Sequence, residues 1–471
     1  MPDTAEQTAQ PEDSNPFESP LAPSSAHVEG ESPQAPSSTR VEGDLPPLMR
    51  DRSFWGMSVT QFLGAFNDNL FKQLLLLLAT PTAAQMLAAE QQGGSAPDRQ
   101  AEAMIVFAVA FLLFSGLAGW LADRTSKRTL IIWAKAAEIV VMVLGSVGFY
   151  FYGVIGLPGM LVILFLMGLQ STFFGPAKYG ILPETIRDKD LPVGNGIFLM
   201  FTFVAIIFGT VMAGAAKQIS EAGGAVWLVS VLCILVAVAG TGASLLVRKT
   251  PAAKPGSPLR WRDFLVPPEA IDLVRRDRQL LLALVVTSSF WLLGSIVQQS
   301  VNALGKTQLG LGDGPTSVLA AMLGVGIPIG CLIGGKLSRG CINPRVVVGG
   351  AAGIVACLVL LSLRGGEDRH LLGFAGSVPV LVLTGVSTGI FIVPIQVAVQ
   401  ALPPPSEKGR MIALMNQCNW VGIIIGALLY KATVSFAEAA NQPRNIAFAV
   451  GAAVMLPIAL FYRPKEMRLG E

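Results

Sequence analysis

The feature that most constrains this chain is a series of apolar segments, each long enough to cross a bilayer as a helix. The hydrocarbon core of a membrane needs about 20 predominantly apolar residues per helix. The sequence predicts twelve such segments, with approximate bounds at 53–80, 103–122, 130–152, 158–182, 191–216, 225–247, 280–304, 315–338, 345–363, 377–402, 411–431 and 444–462. We therefore expect an all-α membrane protein with twelve transmembrane helices.

Composition supports this interpretation and excludes several other classes of protein. Of the 471 residues, 52% are hydrophobic and 14% are charged, whereas a soluble domain carries about 25% charged residues. The net charge of +3 is too small to indicate a nucleic-acid-binding protein. The five cysteines show no paired spacing and the two histidines stand alone, so we expect no disulfide framework, no metal site and no cofactor.

The apolar segments divide the chain into four regions. Residues 1–50 are polar, Pro/Ser-rich and acidic, without the apolar core of a signal peptide, and are predicted to form a disordered tail. Residues 51–247 and 280–471 each contain six segments, and the second region ends in a short tail. The stretch 248–279 between them is predicted to be a basic linker.

The distribution of Lys and Arg predicts the orientation of the chain. Loops on the side of the linker, together with the C-terminal tail, contain 21 Lys and Arg residues, whereas the loops on the other side contain seven. Loops rich in Lys and Arg stay in the cytoplasm. Both termini are therefore predicted to be cytoplasmic.

The two halves also resemble each other in sequence. The letters SFW occur in both the first and the seventh segment, an asparagine follows at a similar distance (Asn67 and Asn302), and Pro176 in the fourth segment corresponds to Pro394 in the tenth. These matches predict two pseudo-symmetric six-helix bundles. Repeats of this kind place a substrate site at their interface, near the middle of the bilayer.

The second segment ends in Gly-Trp-Leu-Ala-Asp-Arg, which resembles the cytoplasmic signature of the major facilitator superfamily. Ser126 departs from the signature, where glycine is usual, and Arg339 replaces the aspartate in the second half. The resemblance implies a cytoplasmic gate, with a glycine for close helix packing and an aspartate at the positive start of the eleventh helix. The predicted gate residues are Gly119, Asp123, Arg124 and Arg128.

Two further stretches, 61–73 (QFLGAFNDNLFKQ) and 173–184 (FFGPAKYGILPE), resemble the bacterial lysophospholipid transporter family. That resemblance implies a transporter in the bacterial inner membrane, which we expect to be a monomer. It would move lysophosphatidylethanolamine and related lysophospholipids to the cytoplasmic leaflet for reacylation. The family's partner is an acyltransferase/acyl-carrier-protein synthetase, which we expect to be a separate protein here.

A few polar residues inside the apolar segments are candidates for a headgroup site, because a charge in mid-membrane is costly and needs a reason. Lysines suit the phosphate, carboxylates suit an ethanolamine ammonium, and the asparagines suit the glycerol hydroxyl. The candidates in the first half are Asn67, Asp68, Asn69, Lys72, Lys135, Glu138 and Lys178. Neutral candidates in the second half are Gln298, Asn302, Gln396 and Asn416.

Three alternatives remain open at this stage. Asp68 with Lys72, and Lys135 with Glu138, share a helix face and would also neutralise each other as purely structural pairs. The chain would equally suit a proton-coupled exporter of drugs or other small solutes, or a passive scramblase or channel. A membrane enzyme is disfavoured, because His370 has Ala375 rather than an aspartate five positions on and no nucleophile motif nearby, and His27 lies in the predicted disordered tail.

Overall fold

Fourteen α-helices make up almost all of the computed structural model, which describes residues 45–187, 190–222, 227–252, 255–256, 258, 268–338, 341–365, 370–401, 408–464 and 467–468. The first half contains α1 Arg52–Ala79, α2 Ala83–Gln91, α3 Gln100–Arg124, α4 Lys127–Tyr150, α5 Tyr152–Thr185, α6 Leu191–Ala222 and α7 Trp227–Ser244. The second half contains α8 Pro268–Arg276, α9 Arg278–Ala303, α10 Asp313–Ser338, α11 Pro344–Ser362, α12 Gly373–Ala401, α13 Lys408–Ala439 and α14 Ile446–Phe461. Two short strands, β1 Cys341–Ile342 and β2 Met467–Arg468, pair antiparallel.

The predicted apolar segments correspond one to one with twelve of these helices, and the prediction of an all-α membrane protein is confirmed. Within the described residues, eleven helices are long and apolar enough to cross a membrane. The twelfth, α14, has 16 residues and spans roughly 24 Å, which is slightly shorter than a typical hydrocarbon core. The short helices α2 and α8 are additional to the predicted spans.

The helices form two groups that match the two halves of the sequence. In the first half, α1 packs on α5, α6 and α7, while α4 packs on α5 and α7. In the second half, α9 packs on α13 and α14, while α12 packs on α10 and α11. The two groups meet along α6 with α10 and along α3 with α13. This arrangement is the predicted pair of six-helix bundles.

The regions around the bundles differ in detail from the predicted boundaries. Leu48 is buried and packs with Phe54 and Ile186, so the first bundle begins before residue 51. In the predicted linker, Val274 of α8 packs against α9 and α13. Most of the predicted tail, 1–44, lies outside the described residues.

The tightest helix packing joins α10 to α12 through glycines. A Cβ atom added at Gly330 or at Gly326 would collide with a backbone carbonyl of α12, and one added at Gly385 would collide with a carbonyl of α10. Small residues permit this approach, in which van der Waals contact between backbones replaces the hydrophobic effect that lipid cannot supply.

This packing predicts that Gly330→Val destabilises the second bundle. The branched side chain has no space against Val386, and overpacking of this kind costs about 1–3 kcal/mol or more. The thermal unfolding temperature of the purified protein, followed by intrinsic fluorescence, should therefore fall. The matched control is Gly335→Val in the same helix, where nothing lies within 4 Å of an added Cβ. Equal unfolding temperatures for the two variants would contradict the packing argument.

Candidate functional site

The molecule has two ends, which differ in the contacts they contain. At the terminal end, where α1 begins, the Ser53 hydroxyl accepts a 2.8 Å hydrogen bond from the Arg248 amide, and the Arg248 side chain donates to the Thr185 carbonyl at 2.9 Å. These contacts join the start of α1 to the ends of α5 and α7. The opposite end, where α1 ends and α3 begins, is called the far end.

A chain of buried amides joins the two bundles towards the far end. Gln73 of α1 donates to Asn302 of α9 at 2.9 Å, and Asn302 donates to Gln100 of α3 at 3.0 Å. Gln100 in turn donates to the Gln299 carbonyl at 3.3 Å. All four residues are buried. Asn302, a predicted substrate contact, therefore belongs to the contact between the bundles.

A buried ion pair forms a second connection at the far end. Asp98, just before α3, accepts hydrogen bonds from Tyr430 at 2.6 Å and from Arg444 at 3.5 Å. Arg444 also donates to Glu438 at 2.6 Å, and both Asp98 and Arg444 are almost fully buried. Burial raises the pKa of the Asp98 carboxyl, whereas the hydrogen bonds from Tyr430 and Gln100 and the charge of Arg444 oppose that shift.

A third connection at the far end centres on Asp313 at the start of α10. Asp313 forms a close ion pair with Lys217 of α6, and its other carboxylate oxygen lies 3.0 Å from the Lys306 ammonium. Lys306 also donates to the Leu77 carbonyl of α1 at 2.7 Å. All three charged side chains are buried, so the acid links both halves in a region that excludes water.

At mid-depth the two halves meet through aromatic rings. Phe111 of α3 stacks on Trp420 of α13 with ring centroids 4.0 Å apart. Beyond this pair, nothing lies within 4 Å of a Cβ added at Gly119, and both Asp123 and Arg124 are exposed. Among the described residues, the buried polar contacts between the halves therefore lie at the far end.

The predicted gate residues Gly119, Asp123, Arg124 and Arg128 lie at the terminal end of α3 and at the start of α4, and the gate stays a prediction. Asp123 is exposed, and nothing lies within 4 Å of a Cβ added at Gly119. Arg128 donates to the Leu245 carbonyl of α7 at 2.9 Å, within its own half, and the Arg124 guanidinium lies 5.1 Å from the centre of the Trp120 ring.

The acid and two lysines of the predicted headgroup site lie in partly accessible positions. Asp68 accepts hydrogen bonds from Ser171 at 2.6 Å and from Gln170 at 3.4 Å, which fix its carboxylate. The Lys72 ammonium lies 5.6 Å from the centre of the Phe107 ring. In the described part of the chain no salt bridge joins Asp68 to Lys72, although the Asp68 charge is near enough to attract the Lys72 ammonium.

Lys178 completes this cluster from α5. Its ammonium lies 5.6 Å from the Phe174 ring and 4.9 Å from the Tyr179 ring, and it is near enough to Asp68 for their charges to attract. The Phe107 ring that Lys72 faces also contacts Trp420 of the other half, with centroids 6.1 Å apart. The cluster therefore adjoins the boundary between the bundles. We call Asp68, Lys72 and Lys178 the central charged cluster.

Lys135 and Glu138 occupy a different environment. They form a close ion pair inside the first bundle, with side-chain exposures of 1% and 2%. Asn67 donates to Glu138 at 2.8 Å, and the Lys135 side chain fits against Gly64 and Gly240. This geometry is that of a buried structural pair. The Lys135 ammonium also lies 6.0 Å from the Phe174 ring that Lys178 faces, and both charges of the pair are near enough to Asp68 to interact with it.

The remaining predicted contacts are dispersed. Asn69 donates to the Ala65 carbonyl of its own helix at 2.8 Å. Gln298 and Gln396 are partly buried, and Asn416 is exposed near the terminal end of α13. Sequence reasoning missed Ser171 and Gln170, whose polar side chains within the fourth apolar segment were the available signal. Among the described residues, no group of three or more His, Cys, Asp and Glu side chains forms a metal site.

The sequence profile of the Major Facilitator Superfamily matches residues 57–427. The chain belongs to the Major Facilitator Superfamily. It is similar to the lysophospholipid transporter LplT of Enterobacter sp. (strain 638), with 29% identity over 87% of this chain and 95% of the relative. The protein of the same name from Pectobacterium carotovorum is 29% identical over 79% of this chain and 83% of the relative.

Solved structures of other transporters share the fold. A POT family transporter in complex with a thioalcohol-conjugated peptide superposes with a TM-score of 0.67 at 16% identity, over 90% of this chain and 99% of that chain. The nucleoside transporter NupG superposes with a TM-score of 0.58 at 11% identity, over 86% and 97%. The chain is thus a membrane transporter rather than an enzyme.

The far-end network predicts that Asp98→Asn opens the far end. Removing one partner of a buried ion pair costs up to about 3–5 kcal/mol, although Glu438 remains to pair with Arg444. The reporter is Ala427→Cys in a cysteine-free background, because Ala427 is fully buried against the core of the first half. A membrane-impermeant maleimide should label this cysteine faster in Asp98→Asn than in the parent.

The matched control is Arg99→Gln, which removes a neighbouring charge whose partner, Glu102, belongs to the same half. Labelling in this variant should equal that of the parent. If Asp98→Asn leaves labelling unchanged, the buried pair does not hold the far end closed.

Proposed function

We propose that this chain is an alternating-access transporter that moves lysophospholipids, including lysophosphatidylethanolamine, across the bacterial inner membrane towards the cytoplasmic leaflet for reacylation. The relatives with the greatest similarity described above bear the name lysophospholipid transporter. The observation that carries the proposal is the central charged cluster. Two lysines and one acid, only partly buried and not paired with one another, adjoin the boundary between the bundles.

The chemistry of the cluster matches that of a zwitterionic headgroup. Lys72 and Lys178 each rest on aromatic rings rather than on a carboxylate, so their ammonium groups remain available for a phosphate. Asp68 is oriented by Ser171 and Gln170 and would accept the ethanolamine ammonium. Charge-assisted hydrogen bonds of this kind are about twice as strong as neutral ones. The acyl chain needs only the apolar surface around them.

The conformation suggests how transport proceeds. Alternating access exposes a central site first to one side of the membrane and then to the other. In our proposal the terminal end, with both termini, is cytoplasmic, in keeping with its excess of Lys and Arg. The described state is then open to the cytoplasm and sealed towards the periplasm by the far-end contacts. In the opposite state, Gly119 and Asp123 would meet the start of α13.

Two further features belong to the proposal. The reacylating enzyme, an acyltransferase/acyl-carrier-protein synthetase, acts as a separate partner, and the transporter itself works as a monomer. A proton-coupled drug exporter is the competing function. The decisive assay is uptake of labelled lysophosphatidylethanolamine into vesicles that contain the purified protein, with and without a collapsed proton gradient, beside a panel of drugs. Saturable lysolipid uptake without drug transport is the expected result.

Lys178→Gln should reduce lysophospholipid uptake, because it removes a cation assigned to the phosphate. A hydrogen bond to a charged group contributes about 1.5–3 kcal/mol, so the apparent affinity should fall about tenfold or more. The measurement is the concentration dependence of initial uptake. The control is Lys336→Gln, an exposed lysine near the terminal end of α10, for which uptake should be unchanged. Parent-like uptake by Lys178→Gln would remove this lysine from the headgroup site.

Asp68→Asn should affect substrates according to their headgroup. The asparagine keeps the shape of the side chain but loses the charge that attracts an ammonium. Uptake of lysophosphatidylethanolamine should therefore fall more than uptake of lysophosphatidylglycerol, which has no ammonium. The ratio of the two uptake rates in the same vesicle preparation is the readout. An equal loss for both substrates would show that Asp68 serves transport without contacting the ammonium.

A further inference from the structure

A second cationic cavity lies at the terminal end, away from the central charged cluster. It has a volume of about 380 Å³ and is open on one side. Three of its seven lining residues are arginines, and one is an acid. The lining residues are Pro46, Arg50, Asp51, Arg52, Ser53, Leu246 and Arg248.

One wall of this cavity is rigidly built. The Arg248 guanidinium donates to the Thr185 carbonyl at 2.9 Å and lies 3.4 Å from an Asp51 carboxylate oxygen. The Arg248 amide donates to the Ser53 hydroxyl at 2.8 Å. Backbone and side chain of Arg248 are thus both fixed, which reduces the conformational entropy that a ligand would otherwise have to overcome.

The single acid of the cavity offsets only one of its three arginines. Asp51 is 1% exposed, and its Oδ1 atom accepts a 2.8 Å hydrogen bond from the Ser53 amide at the start of α1. Its Oδ2 atom is sealed from solvent. The carboxylate is therefore directed into the protein, where it caps the helix and pairs with Arg248. Arg50 and Arg52 are exposed, and in the part of the chain that the structure describes neither forms a salt bridge.

The position of the cavity corresponds to the headgroup layer of the membrane. It lies where the first spanning helix begins and next to the end of α7. The indole nitrogen of Trp55, one turn into α1, donates to the Met49 carbonyl at 3.0 Å. Tryptophan with its polar edge turned to the chain end is typical of the boundary between hydrocarbon and headgroups.

From these observations we infer that the Arg50–Arg52–Arg248 cavity binds the phosphate of an anionic phospholipid from the leaflet at the terminal end. Guanidinium groups bind phosphate oxygens in pairs of parallel hydrogen bonds, which ammonium groups do not. The bound lipid would join the segment before α1 to the end of α7 and so secure this end of the first bundle. This site is independent of the transported substrate, because it requires no lysolipid and contains none of the central charged cluster.

The test uses the full-length protein, purified in a mild detergent and titrated with phosphatidylglycerol, phosphatidylcholine or inorganic phosphate. Native mass spectrometry counts the bound molecules, and thermal unfolding reports stabilisation. We expect phosphatidylglycerol to bind and to raise the unfolding temperature, and the other two probes to have little effect. In Arg50→Gln/Arg52→Gln the affinity for phosphatidylglycerol should be roughly thirtyfold weaker, as expected for the loss of two arginines near an anionic surface.

The control is Arg275→Gln/Arg276→Gln, which removes two exposed arginines of α8 and leaves the cavity intact. This variant should bind phosphatidylglycerol as the parent does. Equal weakening in both double variants would mean a diffuse charge effect and would overturn the proposal. Binding of inorganic phosphate as strong as that of the lipid would overturn the lipid assignment. If the double variant does not fold, each single substitution provides the same comparison with a smaller expected change.

Discussion

The cost of placing a charge where water is absent governs this structure. Every ionised group within or between the bundles needs a partner, and the arrangement of partners determines which parts of the molecule are rigid. Lys135 and Glu138 satisfy each other inside the first bundle, and Asp313 satisfies two lysines at the junction of the halves. Such groups stabilise a particular geometry because separating them leaves an uncompensated charge. The ionised groups of the central charged cluster are partly exposed and not paired with one another. Their partner must therefore be a molecule from outside the protein.

The two ends of the molecule use different interactions. At the far end the halves are joined by polar groups that are fully buried, such as Asp98 with Arg444 and Gln73 with Asn302. At mid-depth the halves touch through the aromatic rings of Phe111 and Trp420. Polar bonds are directional and hold one geometry, whereas ring contact tolerates displacement. A transporter that rocks between two states needs both kinds of contact. Directional polar bonds define each closed state, and ring contacts remain in place as the halves move.

The sequence predicted the fold well because the length of an apolar segment is a local property. Each of the twelve segments could be identified without reference to any other, and the bundles follow from their number and order. The far-end network could not be predicted, since Asp98 and Arg444 are separated by 346 positions and both resembled ordinary loop charges.

Residue spacing alone also could not distinguish the pair Asp68–Lys72 from the pair Lys135–Glu138. Their neighbours distinguish them: Ser171 binds Asp68, whereas Gly64 and Gly240 enclose Lys135. The headgroup site stays a prediction, now concentrated on fewer residues.

The Phe111–Trp420 stack has a mechanical consequence. It lies near the middle of α3, 13 positions before the helix ends at Arg124, which corresponds to roughly 20 Å of helix. Flat rings in contact can shift relative to each other with little loss of dispersion energy. The helices α3 and α13 can therefore tilt relative to each other about this ring pair. A small tilt at the ring pair produces a displacement that grows with distance along both helices. Over the roughly 20 Å of helix between the ring pair and Arg124, a tilt of about 10° would move the helix end by about 3–4 Å.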